Sequence, residues 1–136
     1  MSEFARAARS LVAGAPGVPE TSAQVAERAG QAGELLLTHL SRLLGDSGVR
    51  LLLKRSVVLA SVEFPWLAAV STSENILAEL RNAFARQDPE SITEAFVVIL
   101  VGFIGLLERL IGEPLVGRLL DEVWPTVFTH AAKDTP

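Results

Sequence analysis

The sequence predicts an all-α fold: a compact bundle of about five main helices around a central apolar helix at 89–112, preceded by a short N-terminal helix. Three observations lead there. From Ala95 to Leu107 no side chain is polar. Through most of the remaining chain, apolar residues recur in steps of three and four, the period of one helix face. The breaks between these stretches fall at Gly45, Asp88-Pro89 and Gly112-Glu113-Pro114, which are helix stop and start signals.

The central stretch is too short for a membrane span, which needs about 20 apolar residues. As a strand it would be overlong and weakened by Gly102 and Gly105. As a helix it is well bounded. Asp88 suits the N-cap, Pro89 the first turn, and Gly112 the stop. A helix that is apolar all round must be covered on all sides. Gly102 and Gly105 share one of its faces, where they either let a backbone approach or leave room for a ligand.

Taken in order, residues 2–13 read as a short helix with Phe4, Ala7, Ala8, Leu11 and Val12 on one side. Gly14-Ala15-Pro16-Gly17-Val18-Pro19 breaks it as a linker, so that 1–20 stand apart from a bundle domain at 21–136. A long helix runs from Thr21 or Ser22 to Gly45, with a seam of Val25, Ala29, Ala32, Leu36, Leu40 and Leu43. Gly30 and Gly33 within it mark a close crossing, a kink or a break. The next helix, about 49–62, has Arg50, Lys54 and Ser61 on its polar side. Arg55 falls instead among Leu51, Leu52, Val58, Leu59 and Val62. There it either pairs with a carboxylate (Glu94, Glu108 or Asp121) or awaits an anionic ligand.

Pro65 closes that helix and leaves Phe64, Trp66 and Leu67 beside a turn. Ser71-Thr72-Ser73-Glu74 caps a helix over about 74–87, with Ile76, Leu77, Leu80 and Phe84 inward and Glu79, Arg81 and Arg86 outward. The last helix starts at Glu113 or Pro114 and carries Leu115, Val116, Leu119, Leu120, Val123, Trp124, Val127 and Phe128 at helical spacing. Pro125 kinks or interrupts it, and 131–136 fray.

A chain of 136 residues is one domain's worth, and a hydrophobic content of 49% excludes a disordered polymer. The net charge of −4 provides no basic face for nucleic acid. Without cysteine there are no disulfides and no cysteine-ligated zinc. The N-terminus lacks the continuous apolar core of a signal peptide, which makes a cytoplasmic location the expectation. His39 and His130 are the two histidines, too few for a multi-histidine metal centre, and no cofactor is expected. Phosphate-loop, dinucleotide, metalloprotease and nucleophile-elbow patterns are absent.

With no catalytic set, the reading is a non-enzymatic regulatory or adaptor module that binds protein, as a homodimer. Leu36, Leu40, Leu43, Phe64 and Trp66 are its candidate interface residues. The alternative is a helical pocket for an apolar or amphipathic small molecule. Gly102, Gly105 and Trp124 would line that pocket, and Arg55 and Glu108 would supply its polar groups. A weaker alternative opens 95–111 and 115–128 as a membrane hairpin, which the charges at Glu108, Arg109, Arg118, Asp121 and Glu122 oppose.

Overall fold

The computed structural model describes residues 3–13 and 17–125. The expectations for the Phe4 side chain, for 14–16, and for Val127, Phe128, His130 and 131–136 lie outside the described residues.

Six α-helices follow one another: α1 (Glu3–Ser10), α2 (Ser22–Leu44), α3 (Asp46–Ala60), α4 (Ile76–Ala85), α5 (Pro89–Ile111) and α6 (Glu113–Val123). Short 3₁₀ turns at Pro65–Leu67 and Val70–Thr72 link α3 to α4. No strand occurs among the described residues. The fold is an all-α bundle with α5 at its centre. α1, α2, α3 and α6 all pack on α5, and α3 does so most extensively.

Local chemistry sets the helix ends. The Thr21 hydroxyl accepts from the Gln24 N–H at 3.2 Å while the Gln24 side-chain oxygen accepts from the Thr21 N–H at 2.9 Å, a reciprocal cap for α2. Asp88 caps α5 through the Ser91 N–H at 3.1 Å, and its bonds to Ser91 hold its carboxyl below the usual range. The turn into α4 is capped by Asn75, so that helix starts at Ile76 rather than near Glu74. α6 ends at Val123, two residues before Pro125, because the residue preceding a proline is pushed out of the helical region.

One device is used twice. α2 and α5 are each 23 residues long, and each is joined to the next helix by a single glycine. Gly45 (φ 81°, ψ 154°) and Gly112 (φ 90°, ψ 151°) hold backbone conformations that side-chain-bearing residues rarely adopt. Each turns the chain within one residue and lays the following helix back on the bundle.

Nine residues of α5, among them Ile92, Phe96, Phe103 and Leu107, are buried. The seam of α2 meets this core, because α2 packs on α3, α4, α5 and α6 at once. Leu36 and Leu40 are therefore core residues, which corrects their reading as an interface. Leu40 is 0% exposed while Leu43, on the same seam, is 60% exposed. α1 joins the same core. Ala8 and Val12 are buried, Arg9 pairs with Glu94 at 2.5 Å, and Arg28 of α2 donates to the Val12 carbonyl at 3.0 Å.

α2 is one continuous helix across Gly30 and Gly33. A Cβ at Gly30 would come within 2.3 Å of the Arg81 Nε, so Gly30 is the place where the Arg81 side chain crosses α2. Arg81, expected to face outward, is thus half-buried, and its guanidinium donates to Glu34 at 2.7 Å.

Two pairs of substitutions test this architecture by urea denaturation. Leu40→Ala should cost roughly 2–5 kcal/mol, and Leu43→Ala no more than about 0.5 kcal/mol. Gly112→Ala should cost about 1–3 kcal/mol through its positive φ. Gly102→Ala or Gly105→Ala, in open helix interior, should instead stabilise by about 0.5–1 kcal/mol.

Candidate functional site

Two features of the molecule stand out from an ordinary bundle: an uncovered apolar ridge on α3 and an apolar cavity behind α4.

α3 buries Val49, Leu53, Ser56, Val57 and Ala60. At 100° per residue, Leu51, Val58 and Val62 fall on the opposite side and form a ridge. Leu51 is 68% and Val62 83% exposed, and Val58 and Leu59 are exposed too. Arg50 and Lys54 run along one flank of this ridge. Arg55 sits on the other flank, beside Leu59. Between Ser47 and Val62 the chain carries no carboxylate. None of the three cations forms an ion pair among the described residues. Arg55 therefore lies in the apolar company expected for it, but on the outside of the molecule. Its proposed partner Glu94 is taken by Arg9 instead.

The aromatic wedge after α3 turns the other way. Phe64 and Trp66 are half-buried against the core. Trp66 meets Phe64 edge-on at 6.1 Å and Phe84 edge-on at 6.0 Å, which makes the wedge a plug at the end of the core.

Among the described residues, Gly102 and Gly105 line neither the cavity behind α4 nor the cleft beside it. Nothing lies within 4 Å of where a Cβ would stand at either, so they present bare backbone to open space. Trp124 is buried at the end of α6, its N–H donating to the Leu120 carbonyl at 2.8 Å. Glu108 is half-buried. Desolvation raises its carboxyl pKa, and the nearby charge of Glu113 adds to the shift. The five residues read as one pocket from sequence are therefore not gathered around a shared cavity. α5 turns its glycine face away from the core, and Arg55 points to solvent.

A cavity does exist, beside the other glycine pair. It measures about 40 Å³ and is lined by residues of α2, α3, α4 and α5. Gly30, Gly33, Leu77, Phe84, Phe96 and Phe103 are among its lining residues. By the same measure a single water needs roughly 10–15 Å³, so the space is real, and its apolar walls would keep it dry. One polar group reaches its wall. The Arg81 Nε is buried and has no hydrogen-bond partner, a state that costs roughly 1–3 kcal/mol. Outside it lies an open cleft of about 480 Å³, which shares Leu37, Leu53 and Leu77 with the cavity. Glu34, Thr38, Arg42, Arg50 and Asn75 are among the polar residues of this cleft. Sequence reasoning had one signal for this site, Gly30 and Gly33 in α2. It missed Arg81, because a lone arginine on an amphipathic helix reads as solvated.

Comparison with protein-family models, with curated proteins and with solved structures finds no match. The surface and the cavity are therefore read on their chemistry alone. Among the described residues, no group of three histidine, cysteine, aspartate or glutamate side chains could hold a metal ion. No described helix is long and apolar enough to cross a membrane. His39 lies with its Nε2 3.7 Å from a Glu122 oxygen, between α2 and α6.

Glu108 yields a prediction with a definite sign. Its folded pKa is raised, so the folded state holds its proton more tightly than the unfolded state does. Its ionisation therefore lowers stability as pH rises through and above the ordinary carboxylate range. Glu108→Gln should raise the melting temperature at neutral pH, and this gain should vanish in acid below the unfolded pKa. A melting series over pH checks it.

Proposed function

We propose that the chain is a non-catalytic docking module whose contact surface is the outer face of α3. The observation that carries this reading is the ridge of Leu51, Val58, Leu59 and Val62, left exposed along α3 and just beyond its end, opposite the face the helix buries. Contiguous exposed apolar groups rimmed by polar ones mark interaction sites. The interface reading thus moves from Leu36 and Leu40 to α3.

Charge selects the partner. Arg50, Lys54 and Arg55 rim the ridge without a carboxylate among them. A two-fold self-contact through this face would set each copy's cations against the other's, and like charges in contact disfavour association. The fitting partner is a different protein with an apolar strip flanked by Asp and Glu, such as an acidic amphipathic helix laid against α3. An anionic lipid surface fits the charge less completely. Helices that lie in membranes favour Trp and Phe beside Leu on the inserted face, and this ridge is two leucines and two valines with no aromatic, while Trp66 and Phe64 pack against the core.

The test is affinity capture from host extract by the wild-type chain and by a Leu51→Asp/Leu59→Asp variant. Both substitutions are on exposed positions, so the variant should melt within about 1 kcal/mol of wild type. A protein retained by the wild-type chain, lost with the variant and released by raised salt is the expected result. Retention that ignores the substitutions overturns the reading. Light scattering should show a monomer, and a dimer that the variant breaks would make the occupant a second copy.

A further inference from the structure

From the cavity walls we infer a second site, independent of the α3 surface: the space behind Arg81 takes the aliphatic tail of a small amphipathic carboxylate, with the acid group on the Arg81 guanidinium. Three observations converge. The cavity is apolar on every side except where Arg81 borders it. The Nε–H of Arg81 is buried with no acceptor where the side chain crosses Gly30, so an incompletely paired cation stands beside the cavity. Leu37, Leu53 and Leu77 line both the cavity and a solvent-open cleft, which sets the cavity one side-chain layer from solvent.

The chemistry follows from the geometry. Arg81 already donates to Glu34 at 2.7 Å from one terminal nitrogen. Glu34 is well exposed, its side chain 61% open to solvent, so it is free to swing away. A ligand carboxylate at the Arg81 guanidinium would form a charge-assisted bond, which an alcohol cannot match. The tail would lie among Phe84, Phe96, Ile99 and Phe103, and such mixed character is the usual make-up of a small-molecule site. Gly30 and Gly33 make the room. A Cβ at Gly33 would reach within 3.5 Å of Leu77, and one at Gly30 would displace Arg81 itself.

The class of ligand is a straight-chain aliphatic monocarboxylate, and octanoate is the probe. Trp66 meets Phe84 edge-on, and Phe84 lines the cavity, so Trp66 emission reports its filling once Trp124 is replaced by Phe. Octanoate should bind saturably to the folded chain and raise its melting temperature. Octanol, of the same shape without the charge, should bind at least tenfold more weakly. Arg81→Met keeps the aliphatic stem and should abolish that preference. Gly33→Leu should fill the space and abolish binding of both. Leu51→Asp/Leu59→Asp should leave octanoate binding unchanged, which keeps this test separate from that of the docking surface. Absence of saturable octanoate binding overturns the inference. So does octanol binding as tightly as octanoate, or a preference that survives Arg81→Met. Should Trp124→Phe or Gly33→Leu fail to fold, calorimetric titration of the wild-type chain with the two probes decides the matter.

Discussion

The constraint on which the structure depends is the burial of α5. A helix with no polar side chain from Ala95 to Leu107 cannot end at water on more than a narrow strip, so every other element is placed to cover it. α2, α3 and α6 take most of its circumference. α1 closes the N-terminal part through Ala8, Val12 and the Arg9–Glu94 pair. Among the described residues, what remains open on α5 is the side of Gly102 and Gly105, together with the exposed Val101 and Leu110. The two glycines reduce the apolar side-chain surface left on that side.

Covering one helix from several sides with short connections requires sharp corners. Gly45 and Gly112 supply them in the same way, each ending a 23-residue helix and beginning the next within one residue. Their positive φ angles allow α3 and α6 to fold back without a loop, so that α3 can lie along α5 over its whole length. The same compactness explains why α3 is exposed on its outer side. It is an edge helix with α2 and α5 behind it and, among the described residues, nothing in front, and its outer residues are nonetheless Leu51, Val58, Leu59 and Val62. Folding alone gives no reason for those side chains to be apolar.

The cavity arises from a different compromise. Arg81 crosses α2 over Gly30 to reach Glu34. The crossing leaves an unmet Nε–H packed over Gly30, beside the small apolar cavity. A polar group of this kind is costly to bury and is seldom kept without an acceptor. Its position at the boundary between an apolar void and an open cleft is the reason the cavity is treated as a site and not as a packing fault.

The sequence by itself determined the all-α class, the six helices, the continuous run and ends of α5, and the stop at Gly112. These follow from period, capping chemistry and glycine position, which are local properties of the chain. It also placed Arg55 correctly among Leu51, Leu59 and Val62. Only the tertiary structure decided which apolar face is inside. The α2 seam and the α3 ridge look alike as sequence, since each gathers apolar residues on one side at helical spacing. Leu40 became core and Leu51 surface because α2 is flanked by four helices while α3 has neighbours on one side alone. Likewise, of two glycine pairs at the same spacing, the sequence reading gave a pocket to Gly102 and Gly105, and a crossing, kink or break to Gly30 and Gly33. The pair in α2 faces α4 and its long arginine, and the pair in α5 faces open space. Helix period records that a face is apolar or small. What that face meets is set by the arrangement of the other helices, which no local pattern encodes.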